Sequence, residues 1–281
     1  PRKGMLPCDL ITTGSGRWIR GVKKTANRQI CSIEPDLGLS LVRWFGEPPG
    51  SLLLEREQAC LEPLLSRLFG YYLLQVGSPV LQAESLPGSR IKQRLMIAPE
   101  RPEPTPAGWI CGDPRRLPVA TDSVDAVLLQ HTLDFCADPH QVLREADRVL
   151  IAEGSLIVLG FNPWSLWGLR RLSGRRSGRI PWCGRFISRH RLQEWLSVLG
   201  FELERVESVM FLPPLRQQML MDSLRFLEQL GQNWWPLLSG VYLIQAVKRV
   251  SSLIPIKPAW KLRRAILGGR VIEPTTRNGR G

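Results

Sequence analysis

Short apolar runs alternate with one sharply bounded amphipathic helix between Trp109 and Pro163, and the rest of the chain is organised around that stretch. The runs Trp109–Cys111, Val124–Leu129 and Leu156–Leu159 are nearly continuous, as in parallel strands covered on both faces. Between the last two, Asp138 can cap a helix, Pro139 suits its first position and Gln141 stands where a capping-box partner would. Val142, Leu143, Ala146, Val149 and Leu150 then form one apolar face, and Gly154 offers the break. The pattern predicts strand, loop, strand, helix, strand, closing on a β-α-β crossover that sets Leu156–Phe161 beside Val124–Leu129.

The flanks extend this pattern. Leu54, Leu61, Leu64, Leu65 and Leu68 recur at helical spacing, with Pro63 placed to kink or divide the helix. Tyr71–Val76, bounded by Gly70 and Gly77, predicts a strand, and Arg94–Ala98 a second. Further on, His190–Leu199 reads as an amphipathic helix stopped by Gly200, and Phe201–Val209 as an exposed, alternating strand. A Met- and Leu-rich helix over Gln218–Leu230 and a closing strand at Gly240–Val247 complete the series.

Charge adds a partner to the picture. A formal net charge of +13 argues for a polyanionic partner or an anionic membrane surface. Residues 162–193 carry eight arginines and no acid, interleaved with Trp164, Trp167, Trp182 and Phe186. Arginines among aromatics can bind phosphates and stack on bases, while the alternative is a solvated basic helix packed by its tryptophans. RNA, DNA or an anionic surface is therefore the expected partner of Arg170–Arg191 and of the basic tail. The organisation expected is a basic extension over 1–48, an α/β domain over 49–248 with the basic insertion at 162–193, and a basic tail over 249–281. The TTGSGRWIRG run near the start has neither Gly-Lys-Ser/Thr nor a complete G-x-G-x-x-G, so it reads as part of a flexible basic arm. Six scattered cysteines without a C-x-x-C pair suggest neither zinc nor a disulfide framework and fit a reducing cytoplasm. No apolar run approaches the roughly 18 to 20 residues of a membrane span, and no signal-like segment opens the chain. A cytoplasmic, soluble protein is expected.

Ligands of open parallel sheets bind beyond the carboxyl ends of the strands. Asp113 follows the first strand of the organising stretch, Gln130 and His131 the second, and Phe161, Asn162 and Pro163 the third. The run GDPRRLPVATDSVDAVLLQHTLDFCADPHQVLREADRVLIAEGSLIVLGFNP resembles the second half of a class I S-adenosylmethionine (SAM)-dependent methyltransferase of the methyltransferase type 11 group. That group shows Gly/Ala-Asp, Leu-Pro, a turn rich in Asp and Ser, an Asp-plus-apolar strand, and an Asp-Pro-capped helix ending Arg-Val-Leu before a glycine and an apolar strand. The resemblance implies a Rossmann-like α/β sheet of seven strands, mostly parallel with an antiparallel last strand, and helices on both faces. It implies SAM as cofactor, Asp113 accepting from the adenine amine, and Leu117 packed on the adenine ring. Pro114 and Gln130 belong to the same cofactor surface, and Gly77 and Ser78 to the turn at its methionine end. Asp113 could instead merely turn the chain before Pro114, and Leu117 could be ordinary core.

The glycine turn departs from the group. Where a member has an acidic residue and Gly-x-Gly-x-Gly, this chain has Gln75-Val76-Gly77-Ser78-Pro79. The second strand ends in Ala98-Pro99 where the group has an acid for the ribose, with Glu100 and Glu103 just beyond. His131 is the candidate proton acceptor, since its free pKa lies near neutrality, although a histidine opening this helix can be structural. Asp125 reads as a strand start, and Asp134 and Asp138 as caps or turn residues. No Asn-Pro-Pro-Tyr motif follows the fourth strand, so the sequence names no acceptor. Two functions follow: a SAM-dependent methyltransferase, or a methyltransferase-like domain without cofactor acting as a basic nucleic-acid- or partner-binding scaffold. A nicotinamide oxidoreductase is excluded by the missing G-x-G-x-x-G turn.

Overall fold

The computed structural model describes residues 37–77, 90–99, 105, 108–174, 179–214 and 238–249. The basic arm to residue 36, Ser78, Pro79, Glu100, Glu103, the helix expected at 218–230 and the tail from residue 250 lie outside them.

Seven strands form one sheet: β1 Tyr72–Gly77, β2 Gln93–Ala98, β3 Trp109–Cys111, β4 Val124–Gln130, β5 Leu150–Phe161, β6 Phe201–Met210 and β7 Val241–Lys248. Their order is β3-β2-β1-β4-β5-β7-β6. β3, β2, β1, β4 and β5 pair in parallel, while β7 runs antiparallel to both β5 and β6. The continuous apolar runs are explained by two cores. Leu73, Ala126, Leu128, Ile157 and Leu159 point to one face, and Leu74, Val76, Val127, Leu129, Leu156 and Val158 to the other.

Helices α1 Leu37–Phe45 and α2 Gly50–Leu65 cover the first face, and α4 Pro139–Val149 and α6 Arg189–Val198 the second. A short α3, Thr132–Phe135, follows β4, and α5, Leu166–Gly174, follows β5. The α/β domain begins earlier than residue 49: Leu41 and Phe45 of α1 are buried in the core, so this part of the expected extension is folded structure. Pro63 does not divide α2, because it falls in the last turn of that helix.

Local signals act much as the sequence suggests, with three differences. Asp138 Oδ1 accepts from Gln141 N at 3.1 Å, but Gln141 Nε2 turns away to Arg115 O at 3.4 Å, so the reciprocal half of the capping box is not made. Gly154 is not the helix stop. Helix α4 ends at Val149, strand β5 starts at once, and Gly154 sits in an irregularity where the register passes from Val124↔Leu150 to Ala126↔Ser155. Asp125 does more than start its strand, since its Oδ2 accepts from Tyr71 N (2.8 Å) and Tyr72 N (2.9 Å), tying the entry of β1 to β4.

Candidate active site at the carboxyl edge of the sheet

The strand order reverses between β1 and β4, and their last paired residues are Gly77 and Gln130. Crossovers on the two sides of such a point leave in opposite directions and open a crevice there. Of the sequence-predicted residues, Gly77, Gln130 and His131 stand at this point, while Asp113, Pro114 and Leu117 follow β3, two strands from β1 along the same edge.

Gly77 has φ +113, and a Cβ on it would strike Thr132 Oγ1, which donates to Val76 O. Glycine is thus required here by packing against α3, whether or not a ligand approaches. Gln130 is buried, and its Nε2 donates to Glu57 Oε2 at 2.7 Å. Among the described residues its Oε1 has no partner, nor does Asp134 Oδ1.

His131 is enclosed. With 2% exposure and φ +52 it stacks on Phe161 at 4.2 Å, with Phe45 at 5.5 Å. Its Nε2 lies 2.7 Å from Glu57 Oε1 and its Nδ1 3.2 Å from Asp134 Oδ2. Asp134 Oδ2 also accepts from Phe161 N at 3.0 Å, linking α2, the β4–α3 turn and the end of β5. Burial alone would push the imidazolium pKa down, but the Glu57 charge and the Asp134 and Glu57 hydrogen bonds outweigh it and carry it up to about 9. Burial pushes the Asp134 carboxyl up, against the hydrogen bond and charge of His131. With both ring nitrogens engaged, His131 is placed as a structural ion and not as an open proton acceptor. Asp134, expected as a cap or turn residue, is fully buried.

Two strands from β1, on the same carboxyl edge of the sheet, lies the loop after β3. Asp113 Oδ1 accepts from Arg115 N (2.9 Å), and both carboxylate oxygens accept from the Arg115 guanidinium at 2.8–3.1 Å. Partial burial would raise its pKa, but these Arg115 hydrogen bonds and charge hold it below the ordinary carboxylate range. The Asp113 side chain is 40% exposed and keeps room to accept a further donor. Pro114 is half-buried beside it, and Leu117 is buried among the residues of the second core. Two residues of α4 fix this loop. Glu145 Oε2 accepts from Leu117 N at 2.9 Å, and Arg148 donates to Leu117 O (3.1 Å), Val119 O (2.9 Å) and Glu145.

Glu57, Glu145 and Arg148 were not singled out in the sequence. Glu57 has a visible signal, because it stands in the stripe Leu53, Glu57, Leu61, Leu64 on the buried side of α2. The expectation of no disulfides is corrected: Cys111 and Cys183 are each disulfide-bonded, whereas among the described residues Cys60 and Cys136 are free thiols. Scattered spacing carries no pairing signal.

Two clefts flank the sheet. One of about 390 Å³ lies among Arg67, Glu153, Ser155, Glu204, Arg205 and Arg249, at the amino ends of β5 and β6, the edge opposite the crevice. Another, of about 170 Å³, is lined by Trp164, Arg185, Phe186, Arg191 and Trp195, beyond the carboxyl end of β5. The smaller one is on the edge where α/β sheets bind ligands.

Comparison with known proteins agrees with this architecture. Residues 84–158 match the model of a methyltransferase domain family. The YafS protein of Escherichia coli (strain K12) is 37% identical over 171 residues, covering 60% of this chain and 69% of YafS. In fold, the chain is similar to a methyltransferase-like protein of Haloferax volcanii solved with the Trm112 methyltransferase activator (TM-score 0.53, 17% identity, 75% of this chain and 98% of that one). It is also similar to a SAM-dependent methyltransferase of Thermotoga maritima described as a possible histamine N-methyltransferase (TM-score 0.50, 20% identity, 74% and 94%). The chain belongs to the family of the Escherichia coli YafS protein, within the methyltransferase type 11 group of class I SAM-dependent methyltransferases.

Proposed function

We propose that this methyltransferase holds the adenosine half of SAM on the segment Asp113–Leu117 and the methionine half near Gly77, at the β1–β4 crevice. The observation that carries the reading is the bracing of Leu117 by Glu145 and Arg148, which fixes a partly exposed Asp113 carboxylate at the carboxyl edge. Asp113 would accept from the exocyclic amine of the adenine, with Pro114 and the Leu117 backbone beneath the ring. SAM supplies a methyl group on a sulfonium, so the protein is asked mainly for alignment of donor and acceptor. A proton on the acceptor would have to leave through a group other than His131, whose nitrogens face Glu57 and Asp134.

The methionine half is the weaker part. Gly77 is the one glycine of the expected triad, and no carboxylate precedes it. Losing one or two charge-assisted contacts, each about 1.5–3 kcal/mol, lowers affinity by roughly tenfold to ten-thousandfold. Calorimetry with SAM and S-adenosylhomocysteine tests the site. Weak binding is expected in the parent and none in Asp113→Ala. Binding that survives Asp113→Ala would displace the site. No binding even at millimolar SAM would return the chain to the scaffold alternative, for which the comparisons give no support.

A further inference from the structure

After β5 the chain makes a rigid turn that presents its side chains in two directions. Asn162 Nδ2 donates to Ser239 O (2.9 Å), its Oδ1 accepts from Trp164 N (3.1 Å), and Ser165 Oγ donates to Asn162 O (2.7 Å). Helix α5 is thereby pressed onto the turn: a Cβ on Gly168 would overlap Pro163 O. Trp167 points inward, 1% exposed, with Nε1 donating to Leu212 O at 2.8 Å. Arg171 also points inward, Nε donating to Gly184 O at 2.6 Å with its guanidinium over Phe186.

The outward face is apolar. Trp164 is 75% exposed, Leu166 51%, Leu169 63% and Leu172 66%. At 100° per residue the three leucines cover a contiguous arc, bordered by the exposed Arg170. Contiguous exposed apolar side chains mark an interaction surface. The cleft of about 170 Å³ that contains Trp164 adjoins them and adds Arg185, Arg191 and Trp195, with Arg191 5.2 Å over the Trp195 ring.

We infer that the Trp164–Leu172 face, with Arg170, Arg185 and Arg191 around it, docks the protein onto an anionic phospholipid surface. Tryptophan and leucine suit the boundary between headgroups and acyl chains, and arginines suit the phosphates above it. Residues 162–193 contain eight arginines and no acid, which matches a negatively charged leaflet. Nucleic acid fits less well. It would use the arginines and tryptophans but offers no apolar phase for three exposed leucines. Among the described residues no helix is long and apolar enough to cross a membrane.

The test uses the full chain and needs no cofactor, so it is independent of the SAM reading. Co-sedimentation is measured with phosphatidylcholine vesicles containing phosphatidylglycerol, with phosphatidylcholine alone, and with a single-stranded RNA. Binding to the anionic vesicles is expected. It should fall tenfold or more, on the order expected for removing several buried apolar side chains, in Trp164→Ser/Leu169→Ser/Leu172→Ser. Leu169→Asp alone should lower it in the same direction, which keeps the test open if the triple variant does not fold. Anionic-vesicle binding that neither apolar variant weakens overturns the proposal, as does binding to RNA without binding to vesicles.

Discussion

Glu57 Oε1 lies 2.7 Å from His131 Nε2, and the two side chains, with 0% and 2% exposure, join α2 to the turn after β4 inside the core. Removing one member of a buried ion pair leaves its partner uncompensated, typically at about 3–5 kcal/mol. Glu57→Ala should therefore lower unfolding free energy by that amount in urea titration, and His131→Ala should do likewise. A loss below about 1 kcal/mol would mean that the pair is not formed in solution.

The same pair sets a pH dependence. His131 rises in the fold from 6.5 to about 9, so its contribution is fully present below pH 6.5 and is lost as pH rises through about 9. Asp134, also raised, contributes a loss of the same sign that begins above its ordinary value of 3.8 and so lies apart from the His131 window. Unfolding free energy should drop by about 3 kcal/mol between the two ends of that window. In His131→Gln this part of the drop should vanish, and an unchanged pH profile in that variant would refute the assignment.

Gly77 and Thr132 supply a packing test. Gly77→Ala places a methyl group against Thr132 Oγ1 at φ +113, and a cost of about 1–3 kcal/mol is expected. Because Thr132 is the group it meets, Gly77→Ala/Thr132→Ala should be less destabilised than the sum of its single variants. Strict additivity in a double-mutant cycle would show that backbone strain alone sets the cost.

These relationships were unevenly legible in the sequence. The β4–α4–β5 crossover could be read because Asp138, Pro139 and the stripe from Val142 to Val149 all agree, and the structure places a helix there over Pro139–Val149. Gly154 misled, because a glycine after a helix and a glycine in a strand irregularity look alike without the register. The role of His131 was not legible. Its partner Glu57 lies 74 positions away on a helix whose pattern reads as core. Helix α1 has a good apolar face, yet it sits next to a basic segment whose composition suggested an extension. The fold thus came from local periodicity, while the site's electrostatics came from contacts distant in sequence.

Asp113 and Arg115 form an exposed ion pair, with side chains 40% and 48% accessible, worth roughly 0–1 kcal/mol. Arg115→Ala should change stability by less than about 1 kcal/mol, while the Asp113 carboxyl moves up toward its ordinary range in an NMR titration. SAM affinity should fall less than about tenfold, since the carboxylate remains and only its orientation relaxes. Loss as complete as in Asp113→Ala would make Arg115 itself a cofactor contact.

Arg148 tests whether the loop after β3 seats the adenine. Its guanidinium donates to Leu117 O, Val119 O, Thr121 Oγ1 and both oxygens of Glu145, so one side chain on α4 holds the loop at several points. Burial lowers and the Glu145 hydrogen bond and charge raise the Arg148 pKa, with the hydrogen bond the largest effect, so the pair stays ionised. Lysine offers a single point charge in place of this fork, and Arg148→Lys should rescue little. Arg148→Ala should cost about 2–3 kcal/mol of stability and weaken SAM binding by about tenfold, although Arg148 does not face the crevice. Exposed Arg144, on the same helix, serves as the control, and Arg144→Ala should leave both quantities nearly unchanged. Thermal melts and calorimetry on the same preparations separate the outcomes. If Arg148→Ala melts early but binds SAM as the parent does, the Asp113–Leu117 loop is a structural element, and the adenine must be sought elsewhere along the carboxyl edge.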